Sequence, residues 1–115
     1  WTVRLGGSST CLVRRNDFQA NPDAGILVRQ EAQPSIEANT LQGFKMDAIA
    51  FKNQSRGLVR GNLFEGNMGC VITTHHTSSP VVEHNHFKNN RKQPPVIEFE
   101  SATGKVKAKI IQTRE

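Results

Sequence analysis

Apolar residues alternate with polar ones inside short runs of this chain, and the runs return every 23 residues. Laid in register, Val13, Ile36, Val59 and Val82 form one apolar column and Phe18, Leu41, Phe64 and Phe87 a second. A further pair of columns runs through Ile26 and Val28, Ile49 and Phe51, then Ile72 and Thr74, and extends backwards to Val3 and Leu5. Spacing of two is the strand period, not the helical one. Small or turn-forming residues separate the runs, with Ala32, Ser55 and Ser78 in one column and Cys11, Pro34, Gly57 and Pro80 in another. Between the first two apolar columns stands an asparagine, at Asn16, Asn39, Asn62 and Asn85, in the phrases LVRRNDF, SIEANTL, LVRGNLF and VVEHNHF.

A short fixed period predicts a solenoid, in which each repeat buries its apolar side only against its neighbours. The unit is too short for a propeller blade and lacks the helical half of most leucine-rich units. The expected fold is therefore all-β, a right-handed parallel β-helix of the pectin-lyase-like solenoid kind with about five coils. The repeat is traceable once more through 104–111, with a one-residue insertion and with Lys109 where asparagine would stand. One domain covers 1–115, and 102–115 makes a last partial coil and a charged tail containing Lys105, Lys107, Lys109, Arg114 and Glu115. The pattern is already in mid-coil at Val3, so the chain reads as a fragment of a longer solenoid. Its open first edge invites edge-to-edge pairing with another copy.

The asparagine column has a physical purpose. A side-chain amide both donates and accepts, so identical amides stacked at strand spacing can bond one to the next and to turn backbone. Asn21, Asn67 and Asn90 form a second such column, interrupted by Phe44. Cys11 and Cys70 lie more than two coils apart, too far for a disulfide. Unpaired thiols favour a reducing compartment, hence an intracellular location, cytoplasmic or nuclear. The sequon Asn53-Gln54-Ser55 would permit glycosylation in a secreted setting. No apolar run is long enough to span a membrane.

Candidate chemistry must lie on the outward columns. One of them reads Arg14, Glu37, Arg60, Glu83 and then Lys107, with the sign alternating coil by coil, which favours a fixed register. Enzymes that cleave polysaccharides on such scaffolds need two or three carboxylates close together. Here Arg60 separates Glu37 from Glu83, and Asp17, Asp23 and Asp47 occupy different columns. A non-catalytic chain is expected. His75, His76, His84 and His86 lack an evident third ligand, so no metal and no other cofactor is expected. A second outward column, Arg29, Lys52 and His75, makes a basic stripe with His76 beside it, and Arg91 and Lys92 open an irregular turn over 91–95. With 15 Lys and Arg against 10 Asp and Glu, an acidic protein partner suits this surface. Nucleic acid does not, because the chain has no tyrosine, one tryptophan and mostly inward phenylalanines.

The segments GILVRQEAQPSIEANTLQG and SRGLVRGNLFEGN resemble the repeats shared by carbohydrate-binding proteins and sugar hydrolases. Such repeats occur in β-helical F-box proteins, in the SHC SH2-domain-binding protein and in periplasmic proteins of the NosD type. The wording Gly-Ile-x-Val and Ala-x-Pro-x-Ile-x-x-Asn is most similar to the F-box group. That resemblance implies a substrate-recruiting module of a ubiquitin ligase, acting through surface contacts. The alternative is a carbohydrate-binding or carbohydrate-active β-helix, for which Trp1 and Phe44, the latter in a turn, are the aromatics on offer.

Overall fold

A computed structural model of the chain describes residues 1–19, 23–75, 77–99 and 106–108. His76, Asn21, Lys105, Lys109, Arg114 and Glu115 lie outside the described residues, as does the charged tail apart from 106–108. Three short strands make one coil. The first coil holds β1 (Val3–Leu5), β2 (Leu12–Arg14) and β3 (Asp17–Phe18), and the second β4 (Ile26–Val28), β5 (Ser35–Glu37) and β6 (Thr40–Gln42). The third holds β7 (Ile49–Phe51), β8 (Leu58–Arg60) and β9 (Leu63–Glu65), and the fourth β10 (Ile72–His75), β11 (Val81–Glu83) and β12 (His86–Lys88). Then come β13 (Val96–Phe99) and β14 (Val106–Ala108).

Equivalent strands of successive coils pair in parallel, which builds three sheets around one core. The first sheet runs β1-β4-β7-β10-β13-β14, the second β2-β5-β8-β11 and the third β3-β6-β9-β12. Partners stand at the repeat interval, as in Ile26 beside Ile49 and Ile36 beside Val59. The step from β10 to β13 is one residue longer, since Ile72 stands beside Val96, and the 91–95 turn lies within that step.

The last strand departs from the expected pattern. Continued as a parallel coil, 104–111 would set Lys107 above Glu83 in the second sheet. Instead β14 turns back antiparallel on β13 in the first sheet, with Lys107 opposite Glu98. An antiparallel return satisfies its own backbone through the ladder and needs no corner amide; the column position of the corner amide holds Lys109.

The inward columns fill the core. Ile36, Leu41, Val59 and Phe64 of the middle coils are fully buried, whereas Val13, Phe18 and Phe87 of the outer coils are only partly so. Each coil is thus sealed by the coils on either side of it. The Phe64 and Phe87 rings stack with centroids 5.1 Å apart and planes 9° from parallel.

Buried amides hold the corners between the second and third sheets. Asn39 Nδ2 donates to Asn62 Oδ1 at 3.0 Å, and Asn62 Nδ2 to Asn85 Oδ1 at 3.0 Å. The same nitrogens reach backwards, Asn39 to Val13 O, Asn62 to Ile36 O and Asn85 to Val59 O, each at 2.9 Å. Each oxygen also accepts a main-chain N–H from the preceding coil, for example Asn39 N–H to Asn62 Oδ1 at 2.9 Å. A second ladder follows β9 and β12, where Asn67 Nδ2 donates to Asn90 Oδ1 at 2.9 Å. Phe44 interrupts that column, yet its backbone N–H donates to Asn67 Oδ1 at 3.0 Å. A third runs along the turns after the first sheet, with Gly7 N–H donating to Gln30 Oε1 and Gln30 N–H to Asn53 Oδ1.

Left-handed residues make these corners, and they too repeat. Arg15, Ala38, Gly61 and His84 all have φ between 53° and 67°, each just before a ladder asparagine. Only glycine adopts that region without a side-chain penalty. The corner of the third coil therefore suits its residue and that of the second does not.

Two predictions follow from the corners. Asn62→Ala leaves Asn39 N–H, Ile36 O and Asn85 Oδ1 each short of a partner and should cost roughly 3 kcal/mol in chemical denaturation. The same change at Asn16, exposed in the first coil, should cost under about 1 kcal/mol. Gly61→Ala should destabilise by about 1 kcal/mol, while Ala38→Gly should stabilise by about 0.5 kcal/mol, because relief of the left-handed strain exceeds the entropy that glycine adds to the unfolded chain.

Candidate functional site

The outward side of the first sheet is where charge gathers. Its middle column, Leu27, Ala50 and Thr73, is in register and buried, at 7%, 0% and 1% exposure. At the strand ends the next column carries Arg29, Lys52 and His75 in successive coils. Arg29 N–H donates to Leu5 O at 2.9 Å and Lys52 N–H to Val28 O at 2.8 Å, so the backbone of the stripe is fixed by coil stacking. Arg29 is exposed, while Lys52 and His75 are half-buried. Beyond His75 the chain is pinned by Ser78, whose Oγ accepts from His75 N–H at 3.1 Å and donates to Phe51 O at 3.2 Å.

Asp47 enters this face from the approach to β7. Its Oδ2 accepts a hydrogen bond from Thr73 Oγ1 of the next coil at 3.0 Å. Burial pushes its carboxyl above the usual range, against the pull of the Thr73 bond and of nearby His75 and Lys52. Cys70 occupies the same column one coil further on. Its thiol is pushed up by burial and by the Asp47 charge, and Lys92 opposes both. The structure thus sets Lys52 and His75 near Asp47, and Asp47 and Lys92 near Cys70. Arg29 shares the column but stands one coil away from this group, and Arg91 is exposed on the 91–95 turn, held by its N–H to Asn67 O at 2.9 Å.

Sequence reading counted Asp47 only as one of three acids in different columns. The available signal was the repeat itself, because Asp47 and Cys70 share a column and Thr73 follows three positions later. Phe44 also needs correction. It is 0% exposed, part of the core beside Gly25, and offers no platform for a sugar ring. Its place in a turn does not expose it, since it takes the buried corner position that Asn67 and Asn90 hold in later coils.

The alternating column is in register, Arg14 beside Glu37, Glu37 beside Arg60 and Arg60 beside Glu83. Among the described residues, however, the only close ion-pair contact is His84 Nε2 to Glu83 Oε2, at 3.5 Å. Both cysteines are free. Among the described residues, no group of three or more His, Cys, Asp or Glu side chains is placed to hold a metal ion, and no helix is long and apolar enough to cross a membrane. Shallow grooves follow the turns after the first sheet, one of about 370 Å³ between Glu31, Gln33, Gln54, Arg56 and Thr77.

With three parallel sheets, a constant coil length and amide-lined corners established, comparison with protein families is decisive for architecture. A family described as the right handed beta helix region matches residues 2–112. The chain belongs to the right-handed β-helix family. Comparison with curated proteins and with solved structures gives no match. For this β-helix the family establishes the coil and its handedness, and the outward residues carry whatever is particular to it.

Two measurements check the electrostatics of the face. The folded-state pKa of Asp47 is raised, so its ionisation favours unfolding, and stability is lost as pH rises from the unfolded value near 3.8 through the folded one. Asp47→Asn should therefore stabilise the protein at pH 7 by thermal melting, with the gain vanishing below about pH 3.5. Cys11 is exposed and Cys70 is half-buried with a raised pKa. Maleimide labelling at pH 7 should modify Cys11 at least about tenfold faster than Cys70.

Proposed function

We propose that this β-helix is a non-catalytic protein-interaction module whose first-sheet face binds an acidic segment of a protein partner. The observation that carries the reading is the column Arg29, Lys52 and His75, with Lys52 and His75 near Asp47 and Lys92 near Cys70, on a backbone fixed coil by coil. Asp47 is turned onto Thr73, so its carboxylate is engaged within the face. A lone carboxylate of raised pKa among cations is a poor start for acid–base cleavage, which needs a second group at a set distance. The net charge of +5 adds long-range attraction for an acidic partner.

The repeat wording supports a more particular role, recruitment of substrates to a ubiquitin ligase in the cytoplasm or nucleus, as a scaffold without cofactor. Carbohydrate binding is the second reading. It is favoured by the groove at Gln33, Gln54 and Thr77, whose amides and hydroxyl suit sugar hydroxyls, but it no longer has Phe44 for stacking.

Binding of a fluorescent poly-glutamate peptide tests the proposal against a panel of neutral and acidic oligosaccharides. The peptide should bind, weaken with salt, and lose at least about tenfold in affinity in Arg29→Glu/Lys52→Glu at unchanged melting temperature. Binding of a neutral oligosaccharide with no response to the peptide would replace this reading by the second one.

A further inference from the structure

The second sheet carries an outward surface that the proposed acidic-segment site does not use. Its strands β2, β5, β8 and β11 present two parallel columns. One reads Leu12, Ser35, Leu58 and Val81, and the other Arg14, Glu37, Arg60 and Glu83, each in register from coil to coil. Leu12 is 55% exposed and Val81 53%, so the apolar column opens to solvent. Among the described residues, Arg14, Glu37 and Arg60 make no ion pair within the chain, and Glu83 touches only the exposed His84. Alternating charges beside an exposed apolar stripe are thus left unspent by the fold.

We infer that this face is a two-fold interface with a second copy of the same chain, the two solenoids packed antiparallel. Consider a two-fold axis lying in the interface, perpendicular to the solenoid axis and passing between the second and third coils. It reverses the order of the coils and keeps each column facing its own kind. Arg14 then meets Glu83 and Glu37 meets Arg60, so four coils give four opposite-charge contacts. Leu12 meets Val81 and Leu58 meets Ser35 in the adjoining column. A two-fold axis along the solenoid would instead swap the columns, setting charges against Leu12, Leu58 and Val81. The order Arg-Glu-Arg-Glu matches itself only when reversed, which is the requirement of an isologous interface.

Four strands at about 4.8 Å spacing present a face well below the roughly 800 Å² per partner of a standard interface. The dimer is accordingly weak, forms at high protein concentration and weakens with salt. It differs from pairing of strand edges, which would use backbone groups and not these side chains.

Sedimentation equilibrium of the 115-residue chain from about 10 μM to 1 mM tests this. The dimer fraction should rise with concentration at low salt and fall in about 0.5 M salt. Arg14→Glu/Arg60→Glu and Glu37→Arg/Glu83→Arg should each remain monomeric, and their equimolar mixture should form a heterodimer. If either double variant is unfolded by circular dichroism, Val81→Ser, at a position already exposed, should still weaken dimerisation several-fold with an unchanged melting temperature. A wild-type chain monomeric at 1 mM in low salt overturns the inference, as do folded double variants that self-associate like wild type or a mixture that does not associate.

Discussion

A buried side-chain amide tolerates no unpaired donor or acceptor, and in this chain that demand sets the coil. Asn62 must meet Asn85 above it, Asn39 N–H behind it and Ile36 O below, all at 2.9–3.0 Å. A coil one residue longer between Asn39 and Asn62 would shift the amide off its partners and leave polar groups stranded in a dry corner. The period is therefore a hydrogen-bonding requirement before it is a packing one. The extra residue that the chain does contain falls between Asn90 and Val96, past the last asparagine that these ladders must meet.

Corners held by amides free the flat faces for other work. Inward positions only exclude water, and Ile, Val, Leu and Phe exchange there from coil to coil. Outward positions on the second and third sheets are exposed or half-buried. The first sheet differs, because its middle outward column is buried and draws Asp47 against Thr73. A carboxylate is thereby committed to the surface of the scaffold, where burial raises its pKa, and the cations at its border define the field seen by a partner. The shape of the coil decides what kind of chemistry this face can present.

Much of this was legible because a period converts a one-dimensional pattern into neighbours. The columns Val13 to Val82 and Phe18 to Phe87 could be assigned inward from alternation alone, and the asparagines could be assigned to corners from their donor and acceptor capacity. Alternation does not encode burial outside the inward columns. Phe44 stands in a turn by sequence and in the core by geometry, because its ring fills the corner column that Asn67 and Asn90 hold in the later coils. Thr73 and Ala50 alternate outward and are nonetheless buried. Arg14, Glu37, Arg60 and Glu83 are neighbours by register, yet long exposed side chains in water gain too little from pairing to be held together. The reversal of β14 was hidden for another reason: a strand pattern is the same read parallel or antiparallel, and only the identity of the corner residue distinguishes them.

Strand spacing also limits what the basic column can recognise. Successive coils place Arg29, Lys52 and His75 about 4.8 Å apart, whereas alternate residues of an extended chain are about 6.8 Å apart. An extended peptide laid along the solenoid axis drifts out of step within two coils, so residue-by-residue readout is not available on this face. Flexible cationic side chains can span the mismatch, because attraction between charges falls slowly with distance and needs no fixed angle. A partner rich in acidic residues satisfies the column at any offset. Specificity on such a face comes from the density of charge and from the groups at its border, Asp47, Cys70 and Lys92, more than from a sequence motif in the partner.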